Sequence, residues 1–384
     1  MAKPIGAQCN LRCDYCFYLG KGALYPGKKA AQSRMSDDTL EALIRSQIES
    51  RAVGQTEVQF AWQGGEPTLM GLPFFERVVA LQERHAPAGV RIANTFQTNG
   101  VLVDDSYARF FHDHQFLVGI SIDGPEPLHD RYRRDASGRG SFKAVMAGID
   151  CLNRHQVEYN LLSSVQSDNA EHPDEVYRFL SGLGSAFIQF IPIVEVEPRN
   201  AANIVSSRSV GAVQWGDFLT RVFHRWRERD IGRIYVQHFD MMLGLVLGHP
   251  ATLCVHAPEC GRALAVEHNG DLYSCDHFVD QAHFRGNLTC QSLASMVDSP
   301  EQRRFGQAKT ASLPKECRDC RFLHFCHGGC PKDRVLVTDS GKLNWLCAGY
   351  RAFYEETTPY FAAMACALGQ RRPASDYPHF MQPA

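Results

Sequence analysis

Three cysteines near the start of the chain, Cys9, Cys13 and Cys16, are spaced Cys-x3-Cys-x2-Cys, and eight more, Cys290 aside, crowd between Cys254 and Cys347. No apolar signal segment precedes them in Met1-Ala2-Lys3-Pro4-Ile5-Gly6, and no later run reaches the roughly 18 uninterrupted apolar residues of a membrane span. The chain is therefore expected in the cytoplasm, where thiols stay reduced and clustered cysteines hold metal. Three thiolates fill three corners of a four-iron cube and leave one iron open to an exchangeable ligand. Eight thiolates suit two more cubes, fully ligated. Zinc with a distant fourth ligand, or a pair of zinc ribbons, is the competing reading of the two groups. Cys151, Cys290 and Cys366 fall singly on ordinary segments and read as buried or incidental thiols.

A scaffold for these loops is legible in the hydrophobic pattern. With 384 residues and 44% hydrophobic content, the chain can bury a large core over two or three domains. Its 40 basic and 42 acidic residues leave a formal charge of −2, which gives nucleic acid or an anionic membrane nothing to attract. Up to about residue 240, short β-rich runs alternate with amphipathic stretches, the pattern of a parallel sheet with crossover helices. Strands are expected at 57–63, 91–98, 116–122, 158–165 and 186–193, with a first near 3–7 and a late one at 234–239. Ser36 reads as a helix N-cap, with Asp37 and Asp38 complementing the helix dipole. Further helices are expected at 74–85, 105–113, 142–155, 173–183 and 215–229. Six βα units suggest a doubly wound sheet or an incomplete barrel, and either one places its site at the carboxyl ends of the strands. After about residue 250 the texture turns polar and Gly/Pro-rich, so metal ligation is expected to supply much of that region's stability. A short strand-like run at 262–268, a helix at 351–368 and a Pro-containing extension at 371–384 complete the chain.

Chemistry-bearing segments sit at the strand ends. Trp62-Gln63-Gly64-Gly65-Glu66-Pro67 follows one strand directly, and its glycines let the backbone approach a ligand closely. Gln97-Thr98-Asn99-Gly100 and Ser121-Ile122-Asp123-Gly124-Pro125 end two others, and Arg131-Tyr132-Arg133-Arg134 comes soon after. Taken singly, such polar residues serve turns as readily as ligands. The first triplet, followed by Phe17 and Tyr18, resembles the signature of the radical S-adenosylmethionine (radical SAM) superfamily, and Gly64-Gly65-Glu66-Pro67 resembles its GGEP element. The resemblance implies an α/β fold, a partial (β/α)6 TIM-like barrel over 1–240, in which the open iron chelates S-adenosylmethionine and a 5′-deoxyadenosyl radical is released. It implies cofactor contacts at Tyr15 (through its backbone), Tyr18, Gly64, Gly65, Glu66, Ser121, Arg133 and Val194.

The later cysteines resemble a SPASM auxiliary-cluster domain, 241–350, ahead of a C-terminal helix and tail, 351–384. Spacing alone would group Cys317, Cys320, Cys326 and Cys330. The resemblance implies instead that Cys254, Cys260, Cys275 and Cys330 hold one auxiliary 4Fe–4S cluster, and Cys317, Cys320, Cys326 and Cys347 the other. With Cys9, Cys13 and Cys16 this makes three 4Fe–4S clusters and S-adenosylmethionine as cofactors.

From about residue 3 to about residue 370 the chain is similar to the anaerobic sulfatase-maturating enzymes, on segments 9–18, 63–68, 96–100, 116–125, 189–192, 275–279 and 347–350. That resemblance implies oxidation of a Ser or Cys in a sulfatase segment to Cα-formylglycine, the second electron leaving through the auxiliary clusters. Asp276, beside Cys275, reads on its own as a solvated or hydrogen-bonding acid; the resemblance makes it the general base. The implied partners are an unfolded sulfatase polypeptide and a flavodoxin- or ferredoxin-type electron donor, with no nucleic acid and no membrane. Substrate-pocket residues are expected in 195–215, where such enzymes diverge. A second reading keeps the clusters but forms a crosslink on a ribosomal peptide; only eight residues precede Cys9, too few for the peptide-recognition domain such maturases often carry. A third makes the chain an iron–sulfur electron carrier or zinc-binding module, and leaves the open-site triplet and the GGEP element without a purpose. No motif selects Ser over Cys, the sulfatase, or the oligomeric state.

Overall fold

A computed structural model describes residues 1–25, 33–197 and 204–381. Ten strands carry the architecture: β1 (Ala2–Lys3), β2 (Glu57–Trp62), β3 (Arg91–Thr98), β4 (Leu117–Ser121), β5 (Tyr159–Val165), β6 (Phe187–Pro192), β7 (Tyr235–Val236), β8 (Ala265–Glu267), β9 (Asp271–Tyr273) and β10 (Phe284–Asn287). By internal contacts the chain forms two units that interleave in sequence. The first holds Met1–Ile122, His129–Asn160 and Arg262–Phe305; the second holds Asp123–Leu128, Leu161–Gly261 and Gly306–Ala384. Among the described residues no helix is long and apolar enough to cross a membrane.

In the first unit the strand order is β10-β9-β8-β1-β2-β3-β4. β1 lies parallel to both β2 and β8, and β2–β3 and β3–β4 are parallel. β8, β9 and β10 form an antiparallel meander. Alternate residues of β2 (Val58, Phe60 and Trp62) are buried, and the Trp62 ring meets Phe75 of the helix Leu72–His85 edge-on. Phe75, Phe96 and Phe111 continue that core, and the Trp62 indole N–H is satisfied by Asn94 Oδ1 at 2.8 Å. The helix Asp37–Glu49 begins as expected, with Ser36 Oγ accepting the Thr39 N–H at 3.3 Å.

In the second unit β5, β6 and β7 are parallel neighbours. The helix Ala212–Arg229 packs on the terminal helix Cys347–Gly369. Gly216 and Gly349 meet at this crossing: a Cβ on Gly349 would stand 2.0 Å from the Ala212 carbonyl oxygen, so the helices approach at backbone distance. Trp215, Phe218 and Phe223 fill the space beside that contact with Tyr350 and Phe361. A separate antiparallel pair joins β11 (Arg334–Thr338) to β12 (Gly341–Asn344).

The structure departs from the expected elements in four places. The first strand ends at Lys3 rather than running through 3–7, because Gly6, at φ +58°, turns the chain and returns its N–H to the Lys3 carbonyl. Only Tyr235–Val236 of the expected strand 234–239 is extended; Gln237 opens the helix Gln237–Val246, whose buried Phe239 and Met242 stand three residues apart on one helical face. The terminal helix starts four residues earlier than expected, at Cys347. The extension contains a 3-10 helix, Ala374–Phe380, and its last residues, 382–384, lie outside the described residues.

Two expectations follow for the second unit. Gly349→Ala should destabilise it by about 1–3 kcal/mol through overpacking, read as a lower urea midpoint. His238 is buried against Trp215 and His256, and burial pushes its pKa down to about 4 from 6.5. The unfolded chain takes up a proton that the folded form refuses between those values, so this stability is present above pH 6.5 and lost as pH falls toward 4. From pH 7.5 to 5.5 the loss from this residue is about 1.4 kcal/mol. Anaerobic urea unfolding of His238→Phe should lack that increment.

Candidate active site

The loop that follows β1 carries Cys9, Cys13 and Cys16, and it is held by the loop that follows β2. The N–H groups of Gly65 and Glu66 donate to the carbonyls of Gly6 and Gln8, both at 2.8 Å. A Cβ on Gly65 would stand 1.8 Å from the Gln8 oxygen, so only glycine permits this approach. Cys9 Sγ accepts the Leu11 N–H at 3.3 Å and faces Asn99 Nδ2 at 3.6 Å. Burial pushes the Cys9 thiol up to about 12; the Leu11 N–H pulls it down, and Glu66, Cys13 and Cys16 push it up again. Three thiols crowded in this way carry thiolate charge only beside a cation, which is the donor chemistry of an iron–sulfur site. A cavity of about 420 Å³ opens beside Cys9, with Gln8, Arg12, Glu267 and His268 among its walls.

Glu66 is fully buried, and its carboxylate is saturated from within. Oε1 accepts from Thr68 N (3.0 Å), Thr68 Oγ1 (2.7 Å) and Thr98 Oγ1 (2.8 Å), and Oε2 accepts the Asn99 N–H at 2.7 Å. Burial raises its pKa, and these four donors hold it back. The side chain thus staples the end of β2 to the end of β3, and Asn99 passes the constraint on to Asn10 Oδ1 at 2.7 Å. Tyr15 is buried with the Arg133 guanidinium 5.6 Å from its ring centre. Ser121 closes β4 and accepts from Gln97 Nε2 at 3.1 Å. Gly64, at φ +137°, begins the β2 loop. Val194 is buried just beyond β6, in the second unit.

Asp276 follows β9 and is ion-paired with Lys3 of β1, itself 1% exposed. Burial alone would raise the Asp276 carboxyl, but Lys3 and His277 bring it below the usual carboxylate value. The Lys3 ammonium also lies 4.5 Å from the centre of the Tyr18 ring, and the Tyr18 hydroxyl donates to Glu267 of β8. Acid, base, phenol and acid therefore run in one buried chain across β9, β1, the cysteine loop and β8. Sequence reading missed Lys3 and Glu267. The signal was faint: one charged residue at a strand start and one at the end of an apolar run.

The structure sorts the remaining cysteines into sets. Cys317, Cys320, Cys326 and Cys347 line one cavity of about 170 Å³ that Cys330 does not reach. Burial raises Cys317 and Cys326 to about 11, and within this set neighbouring thiols add to the rise. His327, Gly328 and Gly329, all left-handed, turn the chain so that the Gly328 N–H donates to Cys326 Sγ at 3.4 Å. Cys254, Cys260 and Cys330 share instead the neighbourhood of Lys309. Cys275 stands after β9, in the first unit. Of the three single thiols none is fully buried: Cys290 and Cys366 are exposed, and half-buried Cys151 accepts from Arg154 Nη2 at 3.2 Å. Of the expected substrate segment 195–215, residues 198–203 lie outside the described residues; Glu195 binds Ser206 Oγ at 2.7 Å and Arg208 Nε at 3.0 Å.

The Radical SAM superfamily model matches residues 4–180, and the SPASM model, an iron–sulfur cluster-binding domain, matches residues 254–321. A serine-type anaerobic sulfatase-maturating enzyme of Bacteroides thetaiotaomicron is 40% identical over 390 residues, 98% of this chain and 93% of its own. A cysteine-type anaerobic sulfatase-maturating enzyme of Clostridium perfringens is 32% identical over 365 residues, 94% of this chain and 96% of its own. Among solved structures, native anSMEcpe with bound AdoMet and Cp18Cys peptide matches with a TM-score of 0.85 at 30% identity, over 96% of this chain and 98% of that one.

The Glu66 staple yields an expectation of its own. Glu66→Gln keeps the shape but turns an acceptor into a donor opposite the Asn99 N–H or the threonine hydroxyls. It should cost about 1–3 kcal/mol of stability, measured by urea unfolding of the anaerobically purified protein.

Proposed function

Because the chain belongs to the anaerobic sulfatase-maturating enzymes, radical SAM proteins with a SPASM domain, we propose that it oxidises a Ser or Cys in the active-site segment of a sulfatase to Cα-formylglycine. The observation that carries this reading is Asp276, a carboxylate ion-paired with Lys3 on the same sheet that presents the Cys9, Cys13 and Cys16 loop. When bound, S-adenosylmethionine and its 4Fe–4S cluster supply a 5′-deoxyadenosyl radical that removes a hydrogen atom from the target Cβ, and two auxiliary 4Fe–4S clusters take up the second electron.

Cys9, Cys13 and Cys16 hold the first cluster. Cys254, Cys260, Cys275 and Cys330 hold one auxiliary cluster, and Cys317, Cys320, Cys326 and Cys347 the other. Tyr15, Tyr18, Gly64, Gly65, Glu66, Ser121, Arg133 and Val194 form the S-adenosylmethionine site, Glu66 and Tyr18 by bracing its loops through the bonds described above. Asp276 accepts the hydroxyl or thiol proton as Cβ is oxidised, and the positive charge of Lys3 keeps it ionised at neutral pH. The shared thiol environments support the two auxiliary sets. On this reading 1–240 binds S-adenosylmethionine, 241–350 holds the auxiliary clusters and 351–384 closes the chain. The reaction takes place in the cytoplasm, with a flavodoxin- or ferredoxin-type protein as reductant. The higher identity to serine-type relatives, 40% against 32%, supports Ser as an accepted target.

Anaerobic incubation of reconstituted protein with S-adenosylmethionine, reductant, and Ser- and Cys-containing sulfatase peptides tests this by mass spectrometry. Formylglycine should accumulate with 5′-deoxyadenosine, from protein holding about twelve irons. A crosslinked peptide would turn the reading to a peptide maturase. In Asp276→Asn, iron content and S-adenosylmethionine cleavage should persist while formylglycine formation falls about 10²-fold or more. A near wild-type rate would place the base elsewhere.

A further inference from the structure

Among the described residues, two buried cations of the second unit, Lys309 and Arg334, form no ion pair with a carboxylate; the buried Asp333 beside Arg334 in the chain is paired with Lys332. Lys309, on the helix Pro300–Ala311, is 1% exposed, and its ammonium donates to the carbonyls of Cys254 (2.8 Å), Val255 (3.0 Å) and Ala257. Arg334, at the start of β11, is 7% exposed. Its Nε donates to the Gly328 carbonyl at 3.1 Å, its Nη2 to the His327 carbonyl at 3.0 Å, and its Nη1 to the Lys309 carbonyl at 2.7 Å and Ser312 Oγ at 3.0 Å. Every one of these acceptors is neutral. Three carbonyls saturate the ammonium geometrically, but dipoles do not neutralise it, and a buried charge without a counter-charge costs several kcal/mol.

The groups able to supply that counter-charge are thiols. Lys309 bonds the Cys254 carbonyl and Arg334 the carbonyls of His327 and Gly328, next after Cys326; Cys260, Cys254 and Cys330 act electrostatically on Lys309, and Cys317, Cys260, Cys330 and Cys326 on Arg334. As free thiols they are neutral. Only as ligands of a metal centre do they carry the anionic charge the cations need.

We propose that Lys309 and Arg334 are the fixed counter-charges of the auxiliary iron–sulfur clusters, and that Lys309 sets the reduction potential of the cluster held by Cys254, Cys260 and Cys330. The inference rests on the cluster assignment given under the proposed function. A cube ligated by four thiolates carries negative charge that grows by one on reduction, so a fixed cation favours the reduced form and makes the cluster a better electron acceptor. Lys309 does this as a positioning residue through its ammonium charge, while its three bonds hold the Cys254 loop.

The test is an anaerobic redox titration of the reconstituted holoenzyme followed by electron paramagnetic resonance, without substrate and with iron counted first. Lys309→Met keeps the length of the side chain and removes its charge; Lys309→Arg keeps the charge. At equal iron, Lys309→Met should shift the reduction equilibrium of one auxiliary cluster at least tenfold toward the oxidised form, a fall of at least 59 mV for one electron. Lys309→Arg should hold the wild-type potential, and the cluster of Cys9, Cys13 and Cys16 should not move in either variant. Unchanged potentials in Lys309→Met overturn the proposal. Should Lys309→Met fail to retain the cluster, Arg334→Lys against Arg334→Met reads the same charge at the other cation, and equal potentials there overturn it. Wild-type protein holding about four irons removes the auxiliary clusters, and the cluster assignment falls with the proposal. Potentials that shift as stated support the charge role whether or not a sulfatase peptide is oxidised.

Discussion

The pairing of β1 on both of its edges is the contact on which the site depends. β1 is two residues long, yet Ala2 pairs with Trp62 of β2 and with Val266 of β8, and Lys3 pairs with Glu267. This places the cysteine loop, the Gly-Gly-Glu-Pro loop and the hairpin bearing Asp276 side by side. Side chains alternate along a strand, so a slip of one residue would turn Lys3 to the opposite face and leave Asp276 buried without its partner. The backbone bonds from Gly65 and Glu66 to Gly6 and Gln8 guard against that slip.

Charge placed where charge is expensive runs through the whole molecule. Lys3, Glu66, Glu267, Lys309 and Arg334 are all buried, and Glu66 and Arg334 are each held by bonds from two segments of chain. Glu66 and the Lys3–Asp276 pair are satisfied by protein alone. The cysteines are not: with Cys9 raised to about 12 and Cys317 and Cys326 to about 11, metal must displace protons to enter. Cluster assembly on this chain is thus coupled to proton release and to the closing of the surrounding fold.

The loops around Cys9 and Glu66 are held by hydrogen bonds within the first unit, and the second unit has a packing constraint of its own. Gly349, read in sequence only as part of a family segment, has a packing reason, since the terminal helix reaches the helix Ala212–Arg229 at backbone distance there. Aromatic rings from both helices seal that crossing around a buried pair of histidines.

What could be read from the chain alone is whatever its chemistry makes local. Cysteine spacing marked the metal loops, period-two apolar runs placed β2 to β6 to within a residue or two, and Ser36 announced its helix, because each signal lies within one turn or strand. The run at 234–239 is too short to fix a period, and its last three residues belong to the helix Gln237–Val246. Lys3 with Asp276, Tyr18 with Glu267, and Lys309 with the Cys254 loop were invisible, because their partners lie 55 to 273 residues apart and only the fold brings them together. Which cysteines share a cavity was likewise decided by tertiary structure: Cys347 closes the set that spacing would have closed with Cys330, because thiols gather by position in space and not by order in the chain.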